Sequence, residues 1–208
     1  MSYSDYMKAN KEGKKQYRNC VAKGEFPYLP VLDDMISVSD IECEMNLGIQ
    51  FIPLDHVVGT ASFGRTTAFS NQFMPLLDYE TEFGCKWSAL CDAQQNEGIR
   101  YAIKVYEYMN RYYVIEGNKR VSVLKYFGGV NVAAEVLRKV PKRTNDLENR
   151  IYYEYMAFHK LSNVNYLEFS DEGRFTKLQE CVKGNLEAAW TDEDRQNFSS
   201  FHLTFGKL

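Results

Sequence analysis

Between residues 103 and 140 the sequence passes from strand to helix and back to strand, and few folds accommodate that order. IKVYEYM (103–109) and YYVIEG (112–117) are rich in aromatic and β-branched residues and read as two strands. Asn110-Arg111 lies between them, and asparagine tolerates the positive φ that a tight hairpin requires. After Asn118 the period becomes helical, with Val121, Leu124 and either Lys125 or Phe127 on one face. Gly128-Gly129 ends that helix, and VNVAAEVLRKV (130–140) returns as a strand. A hairpin, a helix and a further strand need a sheet with a helix laid on it. The expectation is therefore an α+β fold with a mixed sheet.

The flanking segments extend this frame. Residues 2 to 23 read as a helix, with Ser2 and Asp5 at capping-box spacing, Tyr6, Gly13, Tyr17 and Cys20/Val21 as its stripe, and Gly24 as its stop. GIQFIPLDHVVG reads as a strand running into a loop, and GTASFGR (59–65) as a small-residue loop. Glu80 to Asn96 reads as a helix whose face carries Phe83, Trp87, Leu90, Cys91 and Gln94, with Gly98 as its cap. Three further helices are expected in the last third. The first is capped by Asn145 or Asp146. The second turns Phe175, Leu178 and Cys181/Val182 inward and stops at Gly184. The third opens on the pair Thr191 and Asp194. The expected organisation is an N-terminal helical extension (1–46), a central domain (47–141) and a helical C-terminal region (142–208) packed on it.

Charge and cysteine usage narrow the function. The formal net charge of the 208 residues is −3, so a duplex-binding role would need a concentrated basic patch. Arg138, Lys139, Lys142 and Arg143 form one such run, with a solvated surface segment as the ordinary reading. DNA binding is expected to be weak at most. The five cysteines are scattered without a C-x-x-C pair, and the three histidines lack ligand spacing, so no Cys or His metal site is expected. The polar N-terminus and the absence of a long apolar run suggest a cytoplasmic chain without a membrane span. Trp87 and Trp190 read as core or interface anchors, and His56 as a loop residue without a catalytic role.

The chemistry concentrates at Glu116-Gly117-Asn118-Lys119-Arg120. A helix that starts at Asn118 leaves its first amide N–H groups unpaired within the helix, and its dipole draws negative charge to that end. Lys119 and Arg120 place two cations in the same turn, against the dipole unless an anion lies between. Glu116 could act as a base, contact a hydroxyl or help to hold a metal. The plainer reading is a capped helix with two solvated cations.

IPLDHVV, Arg65, Gly98, AIKVYEY and YYVIEGNKRVSVLKYFG occur in the order found in the ParB N-terminal domain, and residues 47 to 140 resemble that domain of the ParB/sulfiredoxin superfamily. The resemblance implies a nucleotide site. Gly117, Asn118, Lys119 and Arg120 match the family's glycine-arginine box, and the loop from Thr60 to Arg65 matches the one that closes over the phosphates. It implies a nucleoside triphosphate, CTP or ATP, carried with Mg. Asn118 stands where sulfiredoxins have their reactive cysteine, which argues against sulfinic-acid repair. Lys119 replaces the first arginine of the box with a point charge. Asp146 to Arg150 loosely matches a later asparagine-arginine box, and no helix-turn-helix signature follows. The leading expectation is a domain that binds a nucleotide or another phosphorylated small molecule, in a regulatory or slowly hydrolytic role. A phosphotransferase with Glu116 as base and a DNA-binding partitioning or transcription-type protein are the alternatives. A homodimer or a fused partner domain is compatible with each.

Overall fold

The computed structural model describes residues 2–64 and 66–205. It forms two compact units, Met1–Pro141 and Lys142–Leu208. In the first, helix α1 (Ser2–Lys23) and a short turn α2 (Leu32–Met35) precede strand β1 (Ile41–Pro53) and strand β2 (Val57–Thr60). Helix α3 (Glu82–Asn96), strands β3 (Ile103–Tyr108) and β4 (Arg111–Glu116), helix α4 (Asn118–Tyr126) and strand β5 (Asn131–Pro141) complete it. The sheet order is β1-β5-β3-β4-β2. β1 with β5 and β3 with β4 run antiparallel, while β3 with β5 and β2 with β4 run parallel. This is the mixed sheet of the expected α+β fold.

Local chemistry explains most boundaries. Thr81 caps α3, its hydroxyl accepting from Gly84 N–H at 3.2 Å. At the other end Gly98 takes a φ of 77°, and its N–H donates to the Ala93 carbonyl. The hairpin turns one residue earlier than its composition suggests. Met109 and Asn110 both have positive φ, 51° and 60°, and Tyr108 pairs with Arg111. Two left-handed residues match the twist of the flanking strands. Asn110 N–H also donates to Glu107 Oε1 at 2.8 Å, which favours this register.

One face of the sheet is buried under α1, α3 and α4. Ile52, Ile103, Val105, Val114 and Val136 are fully enclosed there. The first 46 residues share this core through Tyr6, Ala9 and Leu29, all inaccessible to solvent. Of the expected stripe of α1, Tyr6, Gly13 and Cys20 are buried, whereas Val21, the alternative to Cys20, is exposed. Trp87 is fully buried, as expected of a core anchor, and its indole N–H donates to Ser122 Oγ at 2.8 Å.

Arg138 and Lys139 of the basic run are both engaged within the sheet. Arg138 is only 3% exposed and pairs with the fully buried Glu107, its neighbour across the β3–β5 register. Lys139, on the opposite face of β5, pairs with Glu44 of the edge strand. Alternation along a strand sends consecutive residues to opposite faces, so a linear run of charge cannot remain one surface.

The second unit is helical: α5 (Leu147–Ser162), α6 (Arg174–Lys183) and α7 (Asp192–Phe205). Its centre is aromatic, with Phe158 between Phe175 and Trp190 at ring distances of 5.3 and 5.5 Å. Phe175 is inward as expected, but Cys181 is exposed and Gln179 takes the inner position, accepting from the Trp190 indole at 2.7 Å. Asp146 holds the cap position of α5, yet its carboxylate accepts from the Thr144 hydroxyl and makes no bond to the helix. Thr191 and Asp194 form a reciprocal capping box at 3.1 and 2.7 Å.

His56, in the turn between β1 and β2, gives a pH-dependent prediction. Burial, and then the nearby Arg111, lower its pKa to about 4. The unfolded imidazole titrates near 6.5, so between these values the unfolded state binds more protons and stability rises with pH. Stability is expected to fall as pH drops from about 6.5 towards 4, and His56→Gln should flatten that part of the curve. Urea unfolding of both proteins at pH 7 and pH 5 measures this, and identical losses in parent and variant would reject it.

Candidate functional site

β2 and β4 run parallel, so their C-terminal ends reach the same edge of the sheet, with Thr60 beside Val114. Beyond that edge lie the loop after Thr60 and the turn at Gly117. Ligand sites in sheets with parallel strands favour such carboxyl ends.

Gly117 is required twice over. Its φ is 116°, in the left-handed region, and an added Cβ would lie 2.6 Å from Ile103 Cγ2. The turn starts α4, whose ladder begins with Val121 N–H donating to the Gly117 carbonyl at 3.0 Å. The amides of residues 118 to 120 therefore precede the ladder, as helix geometry dictates. Lys119 and Arg120 lie in this turn, as expected.

Asn118 is tied to the neighbouring strand. Thr60 Oγ1 donates to the Val114 carbonyl at 3.0 Å, so it accepts from Asn118 Nδ2 at 3.3 Å. This orientation leaves Asn118 Oδ1 buried with no donor among the described residues. Arg120 spans a different gap. Its Nη1 donates to the carbonyls of Tyr101 and Ala102, at 3.2 and 2.6 Å, and its Nη2 meets Glu116 Oε1 at 3.0 Å. The Arg120 side chain is 17% exposed and that of Glu116 65%. Arg120 thus anchors the strand entry at 101–102 and offsets the charge of Glu116. Arg65 lies outside the described residues.

These groups line one cavity of about 530 Å³. Thr60, Gly117, Asn118, Lys119 and Arg120 form one side of it, with Glu116 at its edge. The opposite wall comes from α3 and is largely apolar, through Phe83, Ala89 and Leu90, with Ile115 and Phe69 nearby. Lys119 Nζ sits 5.2 Å from the Phe83 ring centroid, and Lys86, paired with Glu82, adds a second cation. The α3 wall is not evident from sequence motifs. Its one signal is that Lys86 and Leu90 flank the buried Trp87 on a helix whose other side is core.

The cavity suits an amphipathic anion, with an apolar wall for a flat or aliphatic part and amides with cations for a charged part. Among the described residues no group of three or more His, Cys, Asp or Glu side chains could hold a metal. Among the described residues Glu116 is the one carboxylate lining the cavity, and Arg120 engages it. The residues present do not fit a protein-held Mg²⁺. An ion here would come with the phosphates of its ligand. Among the described residues, no helix is long and apolar enough to cross a membrane.

No family model matches the sequence, and no curated protein matches it. Among solved structures the chain is similar to sulfiredoxin from Arabidopsis thaliana, at 19% identity over 42% of this chain and 82% of that one, with a TM-score of 0.30. It is also similar to the C-terminally truncated chromosome-partitioning protein ParB from Caulobacter crescentus complexed with CTP-gamma-S. There the identity is 15%, over 77% of this chain and 89% of that one, with a TM-score of 0.31. At these TM-scores neither likeness carries the assignment of a ligand.

Proposed function

We propose that the cavity between α3 and the Gly117 turn binds a nucleoside triphosphate, or another phosphorylated small molecule with an apolar part, as a regulatory ligand. The supporting observation is the convergence of the α4 N-terminal turn, two lysines and an apolar wall on one cavity of about 530 Å³. The apolar α3 wall favours a nucleotide over bare phosphate, because Phe83, Ala89 and Leu90 offer a surface that phosphate alone leaves uncovered. Arg120 contributes chiefly by neutralising Glu116, so that the phosphates meet Lys119 and Lys86 rather than a bare carboxylate. CTP and ATP, each with Mg²⁺, are the first nucleotides to test.

Thermal melts with CTP, ATP, GTP, UTP and inorganic phosphate, with and without Mg²⁺, provide the test. A ligand at a hundred times its Kd adds about 2.7 kcal/mol, a rise of roughly 5–10 °C for a chain of this size. Arg120→Ala should weaken binding by roughly ten-fold, about 1.4 kcal/mol, through the Glu116 carboxylate that it unmasks. Removing Glu116 as well should recover part of the loss, since the unmasked carboxylate is then gone. Phosphate release from the same samples reads any turnover. The proposal is wrong if no triphosphate raises the melting temperature, or if Arg120→Ala binds as tightly as the parent.

A further inference from the structure

α1 carries a surface that neither the cavity nor the core uses. Its inner face holds Tyr6, Ala9, Asn10, Gly13 and Cys20, all buried. Lys8, Lys11, Lys15 and Arg18 follow at spacings of three, four and three residues on the outer face, and all are exposed. Four cations over about 15 Å of helix is a dense positive stripe on a chain whose net charge is −3. Lys15 has a loose pair with Glu12 at 3.8 Å, and Lys14, on the flank, pairs with Asp78 at 3.3 Å. Lys8, Lys11 and Arg18 have no ion pair among the described residues.

Two adjoining grooves run beside this stripe and share Lys14 and Arg18. The first, about 490 Å³, is lined by the stripe's own Lys8 and Lys11, with Met7, 44% exposed, as its apolar residue. The second, about 360 Å³, is lined by Tyr17, Tyr28, Leu76 and Leu77. A row of cations beside an apolar trough selects its partner. A nucleic-acid backbone would satisfy the cations but leave the trough empty. Insertion into a membrane needs an apolar helix face turned outward, whereas the apolar face of α1 is turned into the core.

We propose that the outer face of α1 and its trough dock an acidic segment of a partner protein, one in which Asp or Glu alternates with apolar side chains. The carboxylates pair with Lys8, Lys11 and Arg18, and the apolar residues enter the trough past Met7 and Leu77. The stripe sets orientation and association rate, and the trough supplies the area removed from water.

The probe is a fluorescein-labelled synthetic peptide alternating Glu with Leu, measured by anisotropy against the full chain at about 0.15 M salt, where screening acts beyond about 8 Å. Binding at about 100 μM or tighter is expected. The K8E/K11E/R18E variant, altered only at exposed positions, should melt as the parent does and bind at least about ten-fold more weakly. A matched peptide with Gln in place of Glu should lose binding similarly. The proposal is overturned if the parent fails to bind the acidic peptide at that level. Equal binding of the peptide by variant and parent, or equal binding of the Gln peptide, also overturns it. So does a duplex DNA or a phosphatidylserine vesicle that binds through the same three residues more tightly than the peptide.

Discussion

Arg138→Ala is expected to lower the unfolding free energy by about 3–5 kcal/mol, a large share of the stability of an ordinary domain. The guanidinium and Glu107 face each other across β3 and β5, with side-chain exposures of 4% and 0%. Removing one partner leaves the other charge in a site from which water is excluded, and the loss of solvation is not recovered. Glu107 also accepts from Asn110 N–H, so the same change strains the hairpin turn. Replacing both partners by Leu and Met should recover most of the loss, because an apolar pair of similar volume carries no desolvation penalty. Urea unfolding of the single and double variants measures this. A single variant within about 1 kcal/mol of the parent would show that the pair is not the buried charge described.

Trp87→Ala should cost a similar amount, about 3–5 kcal/mol, for a different reason. The indole is fully buried on α3 and meets Tyr6 of α1 and Tyr126 of α4 edge-on, at ring distances of 5.4 and 5.6 Å. Truncation opens a cavity at the junction of three helices and leaves Ser122 Oγ without its donor. Trp87→Phe keeps most of the packing and should lose about 1–3 kcal/mol, the cost of the missing hydrogen bond. A melting temperature for Trp87→Ala within a few degrees of the parent would mean that the junction collapses around the gap. The expected fall is on the order of 10 °C.

What the amino-acid order determined by itself is local. The start of α4 after Gly117, the stop of α3 at Gly98, the capping box at Thr191 and Asp194, and the alternation of β3 all follow from residues within about four positions of one another. The anion-seeking turn was legible for the same reason, since a glycine, a helix start and two cations are adjacent in the chain. Tertiary structure decided the rest. The carbonyls that hold Arg120 lie 18 and 19 residues away, and they make an expected anion ligand also a strap on residues 101–102. The β3–β5 register removed Arg138 from the surface, and the buried face of α1 left the cations of that helix as the denser positive surface. A period specifies which residues share a face, but a single residue's charge or polarity does not specify whether that face meets water, a carboxylate or a neighbouring helix. That choice depends on register and packing between segments far apart in the chain, where burial and desolvation outweigh local preference.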